Sequence, residues 1–189
     1  MFDCVWTPEN VAYDRASASV KLSITEKDGV KYAGEYRSNG FYGFGYYSVF
    51  MKAVKKSGVV SSLFTYTGKS DGNPWDEIDI EFLGKDTTVV QFSYFTDGVG
   101  GHEHIHSLGF DASEDFHEYG FKWERDKITW YVDGKPVYRA TEDIPQTPGR
   151  IMINAWPGRE EDVKDWSGVF DGVFPVTPAE YKWIGYKAL

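Results

Sequence analysis

The sequence has little of three things: cysteine, positive charge and long apolar stretches. Cys4 is its single cysteine, so no disulfide can form within the chain. Lysine and arginine total 20 against 29 aspartates and glutamates, and the net charge of −9 disfavours nucleic acid and anionic membranes as partners. No apolar run approaches the roughly 18 residues that cross a bilayer, and the first residues do not show a signal peptide.

Amphipathic helix patterns are also absent, and strand signals recur instead between clusters of turn residues. Asp133-Gly134 between two strand-like runs predicts a two-residue hairpin. The pattern predicts one all-β domain over residues 1–189, an antiparallel sandwich. The predicted strands are 19–25, 31–37, 43–53, 58–67, 76–83, 87–95, 116–124, 127–132, 135–141, 150–156 and 180–187.

The segment WDEIDIEF, residues 75–82, alternates acidic and apolar residues. As a strand it places Glu77, Asp79 and Glu81 on one face and two isoleucines on the other. Like charges aligned on one face repel, so folding stability gives no reason for this pattern. A pair of carboxylates that flank one bond is what glycoside hydrolysis requires. A solvated acidic face and a calcium site are the alternatives.

The spacing of the outer two carboxylates is compatible with that chemistry. Four strand residues separate the Cα atoms of Glu77 and Glu81 by roughly 13 Å, and the side chains can converge to about 5 to 7 Å. That range spans retaining enzymes at about 5.5 Å and inverting enzymes above about 6.5 Å, so spacing alone does not choose the stereochemistry.

Aromatic residues make up 17% of the chain, and many of them stand beside polar residues. Sugar rings present apolar C–H faces and hydroxyl rims, so a carbohydrate cleft combines flat rings with amides and carboxylates. Core packing is the alternative for any single aromatic residue. The segments with this character are FTYTG (64–68), NPW (73–75), QFSYF (91–95) and NAW (154–156).

With these segments in view, the chain resembles the bacterial endo-β-1,3-1,4-glucanases (lichenases) of glycoside hydrolase family 16. The resemblance covers essentially the whole chain, and the segments that carry it include GEYRS (34–38), GVVSSLFTYTG (58–68), NPWDEIDIEFLGKDTTVVQF (73–92) and IPQTPGRIMINAWPG (144–158). It implies a concanavalin A-like jelly roll with a substrate cleft on the concave sheet. It also implies that Glu77 is the nucleophile, Glu81 the general acid/base and Asp79 a residue that tunes both.

The resemblance further implies a set of substrate-binding residues. Two of them depart from the family's usual NYY segment, where this chain has Ser93, Tyr94 and Phe95, so an amide and a phenol hydroxyl are missing. The positions are Glu35, Arg37, Phe64, Tyr66, Trp75, Gln91, Ser93, Phe95, Glu103, Asn154, Trp156 and Trp166.

Three structural features of the family also differ in this chain. Position 33 is Ala33, so the family's disulfide partner for Cys4 is missing. Lys182 stands where the family has the Asp of its calcium site, so we expect no cofactor and no metal. The family's amino-terminal strand precedes the segment that begins here at Met1, and we expect it to be missing through truncation, engineering or the gene model.

His102, His104 and His106 alternate in a way that suggests zinc, but loop or surface histidines are the preferred interpretation. The predicted function is therefore endo-hydrolysis of mixed-linkage β-glucan by retaining double displacement, in a secreted monomer that binds neither nucleic acid nor membrane. The alternatives are a β-1,3-glucanase, whose motif in this family usually carries one more residue (ExDxxE), and a non-catalytic glucan-binding sandwich.

Overall fold

The structure is a computed structural model that describes residues 1–189. The chain forms two stacked β-sheets. Helix α1 (Glu160–Ser167) and two 3-10 turns, Pro8–Asn10 and Lys69–Asp71, are the other regular elements. The strands are β1 (Val5–Trp6), β2 (Val11–Asp14), β3 (Ser19–Leu22), β4 (Ile24–Lys27), β5 (Val30–Arg37), β6 (Gly45–Lys52), β7 (Val59–Thr67), β8 (Asp76–Leu83), β9 (Val89–Phe95), β10 (His104–Ser107), β11 (His117–Glu124), β12 (Lys127–Val132), β13 (Lys135–Ala140), β14 (Arg150–Pro157) and β15 (Ala179–Ala188).

One sheet has eight strands and the other has seven. The first follows the order β1-β5-β14-β7-β8-β9-β10, with β4 also paired to β5, and the second follows β13-β12-β11-β6-β15-β3-β2. Strand pairs are antiparallel except for the short parallel pair of β1 with β5. Strand β8 therefore lies well inside the first sheet, between β7 and β9, where neighbours on both sides fix its register.

The main core fills the space between the two sheets and is rich in aromatic residues. It comprises 29 buried residues, and its largest fully buried side chains include Trp123, Trp130, Tyr47, Phe82, Phe92 and Phe121. Buried indole groups have hydrogen-bond partners, as polar atoms in a core require: Trp130 Nε1 donates to the carbonyl oxygen of Asp79 over 3.1 Å. The core thus supports β8 from beneath.

Most of the predicted strands are confirmed, and the hairpin at Asp133-Gly134 is confirmed as well. Val132 pairs with Lys135, and both turn residues have positive φ angles, 48° and 73°, as a type I′ turn requires. The predicted strand 19–25 is in fact two strands, β3 and β4, which belong to different sheets. The prediction of no helix is wrong at α1, and strands β1, β2 and β10 were not predicted.

No helix in the structure has the length and apolar character needed to cross a membrane.

Candidate active site

Strand β8 presents its three acidic residues on one face, as its alternating sequence predicts. Ile78, Ile80 and Phe82 point into the core and are fully buried. Glu77 and Glu81 are half-buried on the opposite face, and Asp79 between them is 4% exposed. The apolar side chains fix the strand in the sandwich, and the carboxylates are held on the outer face of the eight-stranded sheet as a consequence.

The cross-strand register surrounds these carboxylates with predicted site residues. Because directly paired residues on neighbouring strands project from the same face, the register alone identifies them. Glu77 lies between Tyr66 on β7 and Phe95 on β9. Asp79 lies between Phe64 and Ser93, and Glu81 lies between Ser62 and Gln91, on the same two strands.

The same face continues onto β14 and β5. Asn154 pairs with both Ser62 and Glu35, and Met152 pairs with Phe64 and with Arg37. Ser62 Oγ donates a hydrogen bond of 2.6 Å to Asn154 Oδ1, so the buried amide has a fixed orientation. Glu35, Arg37 and Asn154 therefore extend the polar surface sideways from the carboxylates. Ser62 was not predicted as a site residue.

Trp75 lies just before β8 at the edge of this surface and contacts it in two ways. Its Nε1 atom donates to Glu77 Oε2 over 2.6 Å, and its ring stacks on Phe95 with a centroid distance of 4.8 Å and an angle of 12°. Trp75 is 43% exposed, so one part of a rigid aromatic pair faces solvent beside Glu77. This geometry suits stacking on a sugar ring.

Glu81 is contacted from strand β9. Gln91 Nε2 donates to Glu81 Oε2 over 3.1 Å, and Trp166 Nε1 on helix α1 donates to Gln91 Oε1 over 2.9 Å. Ser93 Oγ donates to Asp79 Oδ2 over 3.0 Å and lies 3.4 Å from Glu81 Oε2. Ser93 thus contacts two of the three carboxylates, although it is shorter than the asparagine that the resemblance implies at this position.

Trp156, which the resemblance implies as a substrate-binding residue, lies in a different setting from Trp75. It is 3% exposed and belongs to a small second core with Ala33, Val60 and Leu83. The edge of the Phe2 ring packs against it at a centroid distance of 4.7 Å, and Trp166 lies at 6.0 Å. The amino-terminal residues and helix α1 cover this end of the sheet face.

Burial raises the pKa of each carboxyl group in the trio. Burial and the charge of Glu77 raise the pKa of Glu81 to about 8, although hydrogen bonds from Ser93 and Gln91 act to lower it. Glu103, an exposed residue just before β10, raises this pKa slightly further. The pKa of Asp79 rises well above its usual value through burial and its two charged neighbours. Burial also raises the pKa of Glu77, against hydrogen bonds from Trp75 and Asp79.

Asp76, the first residue of β8, has a structural role that the sequence analysis missed. Its Oδ1 accepts from the Asp97 backbone N–H at 3.0 Å, and its Oδ2 accepts from the backbone N–H groups of Gln146 at 3.0 Å and Thr147 at 2.9 Å. One buried carboxylate therefore fixes two loops at the end of β8. Asp-rich turn signals are common in loops, so nothing in the sequence separated this aspartate from them.

The residues at the family's calcium position do not fit a calcium ion. Lys182 places its ammonium group 4.7 Å from the centre of the Phe116 ring, and an ammonium group repels a cation. No group of three or more His, Cys, Asp or Glu side chains is arranged to hold a metal ion. His104 and His106 lie on edge strand β10, where His104 stacks on Tyr138 at 3.8 Å, and His102 stacks on Tyr94 at 4.2 Å.

Cys4 is free and half-buried beside the second core, which contains Ala33. Burial raises the pKa of its thiol to about 12, with Asp3 and Glu35 adding to the effect, so the thiolate is disfavoured. The residue behaves as a small apolar side chain.

Comparison with known protein families shows which family this chain belongs to. The family model described as "Glycosyl hydrolases family 16" matches residues 1–173. The chain belongs to glycosyl hydrolases family 16. A β-glucanase of Acetivibrio thermocellus is 55% identical to this family member over 189 residues, which are 98% of this chain and 55% of the relative. The chain thus spans about half the length of that curated relative.

Solved structures of the family superpose closely on this chain. A Bacillus licheniformis β-glucanase superposes with a TM-score of 0.96 at 50% identity. The match covers 100% of this chain and 87% of the β-glucanase chain. A prokaryotic β-1,3-1,4-glucanase (lichenase) derived from a mouse hindgut metagenome gives a TM-score of 0.93 at 48% identity, with 100% and 87% covered. These superpositions confirm the jelly-roll sandwich of family 16.

Proposed function

We propose that this chain is a glycoside hydrolase that cleaves β-1,4 bonds within mixed-linkage β-1,3-1,4-glucans by a retaining double displacement. The observation that carries the proposal is the carboxylate trio on β8, in which Glu77 and Glu81 have different hydrogen-bond partners. The family membership and the similarity to a β-glucanase and a lichenase support the substrate class.

Glu77 is assigned as the nucleophile. A nucleophilic carboxylate must be ionised. Burial raises the pKa of Glu77, and the hydrogen bonds that the Trp75 indole N–H and the adjacent Asp79 carboxyl donate to it oppose that rise and favour its charged form. Burial and its two charged neighbours raise the pKa of Asp79 well above its usual value, and the protonated carboxyl group supplies the second of these bonds. In the first step Glu77 attacks the anomeric carbon, and the bond from that carbon to the leaving glycosidic oxygen breaks.

Glu81 is assigned as the general acid/base. A pKa of about 8 leaves Glu81 protonated near neutrality, so it can give its proton to the leaving oxygen in the first step. The resulting carboxylate then takes a proton from water, whose oxygen attacks the anomeric carbon and displaces Glu77. Retention of configuration follows from the two successive inversions.

The residues around the trio are assigned to sugar binding. Trp75 and Phe95 offer a stacked aromatic surface beside Glu77, and Tyr66 lies on its other side. Glu35, Arg37 and Asn154 extend the polar part of the surface across two further strands. Phe64, Gln91, Ser93, Glu103 and Trp166 complete the predicted set, and Trp156 contributes only through packing because its ring belongs to the second core. A neutral polysaccharide is not repelled by a net charge of −9.

The proposal is tested by comparing reducing-sugar release from barley β-glucan, laminarin and carboxymethylcellulose. The proposed specificity predicts rapid release from barley β-glucan alone. The retaining mechanism predicts that proton NMR will show the β-anomer as the first product. Preference for laminarin would identify a β-1,3-glucanase instead. Binding to barley glucan without any release would identify a glucan-binding sandwich.

We further propose that the protein acts outside the cell, since its polymeric substrate does not enter cells, and that it is a monomer. Detection of activity in culture supernatant and sedimentation of the purified protein test these two points.

A further inference from the structure

The side-chain amide of Gln91 is held at both of its ends. Its residue is 6% exposed, so the amide has little water to compensate for a missing partner. Oε1 accepts from Trp166 Nε1 over 2.9 Å, and Nε2 donates to Glu81 Oε2 over 3.1 Å. Three side chains from helix α1, strand β9 and strand β8 are thereby connected in series.

The chemistry of the indole ring decides which way this amide points. An indole N–H can donate a hydrogen bond but cannot accept one, so the group that faces it must be the carbonyl oxygen of Gln91. The –NH₂ end is then directed to Glu81. Without the indole, both orientations of the amide would be open, and one of them would place two oxygen acceptors against each other whenever Glu81 is ionised.

Trp166 is itself held firmly, because helix α1 is attached to the sandwich along its length. Val163 and Ser167 are 3% and 0% exposed. The Gly58 N–H donates to the Ser167 carbonyl over 2.9 Å, and Lys85 Nζ donates to the Asp165 carbonyl over 3.0 Å. A ring on an anchored helix gives the amide a fixed reference point.

Glu81 faces groups from every neighbouring element. Its own strand contributes Glu77 and Asp79, and the segment before β10 contributes Glu103. Strand β7 places the uncharged Ser62 opposite it, and strand β9 places Gln91 and Ser93. The charged neighbours are therefore all acidic. Gln91 Nε2 donates to Oε2 of Glu81 and Ser93 Oγ lies 3.4 Å from the same atom, which leaves Oε1 of Glu81 for the glycosidic oxygen.

We propose that Trp166 is a positioning residue for the acid/base, acting through Gln91: its N–H locks the amide so that the –NH₂ group is always presented to Glu81 Oε2. The catalytic meaning of this arrangement rests on the role proposed above for Glu81. The arrangement itself is a property of the folded protein and can be measured without any turnover.

The first measurement is a pH titration of the Glu81 carboxyl carbon by ¹³C NMR, with the signal assigned by its loss in Glu81→Gln. The variants are Trp166→Phe, Gln91→Met and the double variant; Trp183→Phe, which alters a 43% exposed tryptophan on the other sheet, is the matched control. Loss of a donor to the carboxylate raises its pKa, so both single variants should titrate higher by about one pH unit. The double variant should titrate where Gln91→Met does.

The second measurement is the pH profile of kcat/KM on barley β-glucan. Its alkaline limb should move upward in Trp166→Phe and Gln91→Met and stay in place in Trp183→Phe. An unchanged Glu81 titration in Trp166→Phe would overturn the proposal, and so would pKa shifts of the two single variants that add in the double variant. Trp166 would then be a sugar contact only, and its substitution would raise KM alone. If the wild type hydrolyses no glucan while the NMR shifts appear, the proposed function fails and the positioning role stands.

Discussion

At the scale of single residues, the site brings three carboxyl groups together where three full charges would repel strongly. Burial and the charge of Glu77 raise the pKa of Glu81 to about 8, so a proton replaces its charge near neutrality, and burial raises the pKa of Asp79 in the same direction. The donors around the trio then direct the remaining charge, since Trp75 favours ionised Glu77 and Ser93 contacts Asp79. Differences in partners, and not differences in residue type, distinguish the proposed nucleophile from the proposed acid.

Those roles predict different behaviour for two variants. Glu77→Gln should abolish turnover even of aryl glycosides with good leaving groups, because no other group can attack the sugar. Glu81→Gln should still form the glycosyl-enzyme from such substrates and then stall. Azide needs no general base, so it should restore turnover of Glu81→Gln and give a β-glycosyl azide.

The counterpart is Glu77→Ala, in which azide attacks from the opposite face and gives the α-glycosyl azide. Proton NMR of each adduct measures the anomeric configuration. Swapped configurations would mean that Glu77 and Glu81 have the opposite roles, and an inverted sugar from the wild type would exclude double displacement.

The raised pKa of Glu81 also predicts how stability depends on pH. The folded pKa of about 8 exceeds the unfolded value of about 4.3, so the folded state holds a proton that the unfolded state releases between these values. This contribution is fully present below pH ~4 and is lost as pH rises through about 8. Glu81→Gln, which keeps the side chain neutral, should be more stable than the wild type by about 2 to 4 kcal/mol above pH 8.

Urea unfolding at pH 4.5 and at pH 9 measures this difference, with m-values compared to confirm two-state behaviour. The two proteins should converge in stability at the acid pH. An equal gap at both values would show that the substitution acts through packing and not through the proton.

Trp75 and Trp156 should respond differently to truncation, because one is exposed and the other is buried. Trp75→Ala removes an exposed ring, so it should cost about 1 to 3 kcal/mol in transition-state binding, seen in kcat/KM, and leave the fold intact. Trp156→Ala opens a cavity in the second core and should cost about 3 to 5 kcal/mol of unfolding free energy. Parallel melting and kinetics on both variants test this; a fully stable Trp156→Ala contradicts the burial.

At the scale of elements, the segments with strong alternation were predictable and the others were not. Strand β8 and the Asp133-Gly134 hairpin follow from local pattern alone. Helix α1 buries only Val163 and Ser167, too few apolar positions in eight residues to show helical periodicity. Edge strand β10 alternates half-buried histidines with exposed residues, and β1 owes its pairing to β5, distant in sequence. The site residues on β5, β9 and β14 came from the family resemblance, and the register explains their placement.

The short pair β1–β5 offers a test of a lost cross-link. Cys4 packs against the second core that contains Ala33, and Trp6 is the direct partner of Ala33 in the parallel register. Ala33→Cys should therefore form a disulfide with Cys4 under oxidising conditions. Closing a loop of this length stabilises a protein by about 2 to 4 kcal/mol.

Melting of oxidised Ala33→Cys with and without reductant measures the gain, and Ala33→Ser is the control for the change in size. Free thiols that persist after oxidation would show that the two positions do not meet in bridging geometry.

At the scale of the whole molecule, we expect calcium to leave stability unchanged. Lys182 provides an ammonium group at the family's calcium position. An ion present at a hundred times its Kd would add about 2.7 kcal/mol and raise the melting temperature by about 5 to 10 °C. Melting curves in millimolar calcium should coincide with those in chelator, with magnesium as the control for ionic strength. A rise of that size reversed by chelator would reveal a site that Lys182 does not prevent.

The alternation along β8 makes the arrangement of the carboxylates sensitive to the length of this strand. Successive residues of β8 point to opposite faces of the sheet, and pairing with β7 and β9 fixes the register of the strand on both sides. One residue inserted after Asp79 would turn Glu81 toward the isoleucine side and bring the fully buried Phe82 outward, unless a β-bulge absorbed it. Insertions in this segment therefore have to arise together with a local backbone distortion, whereas exchanges of single side chains do not.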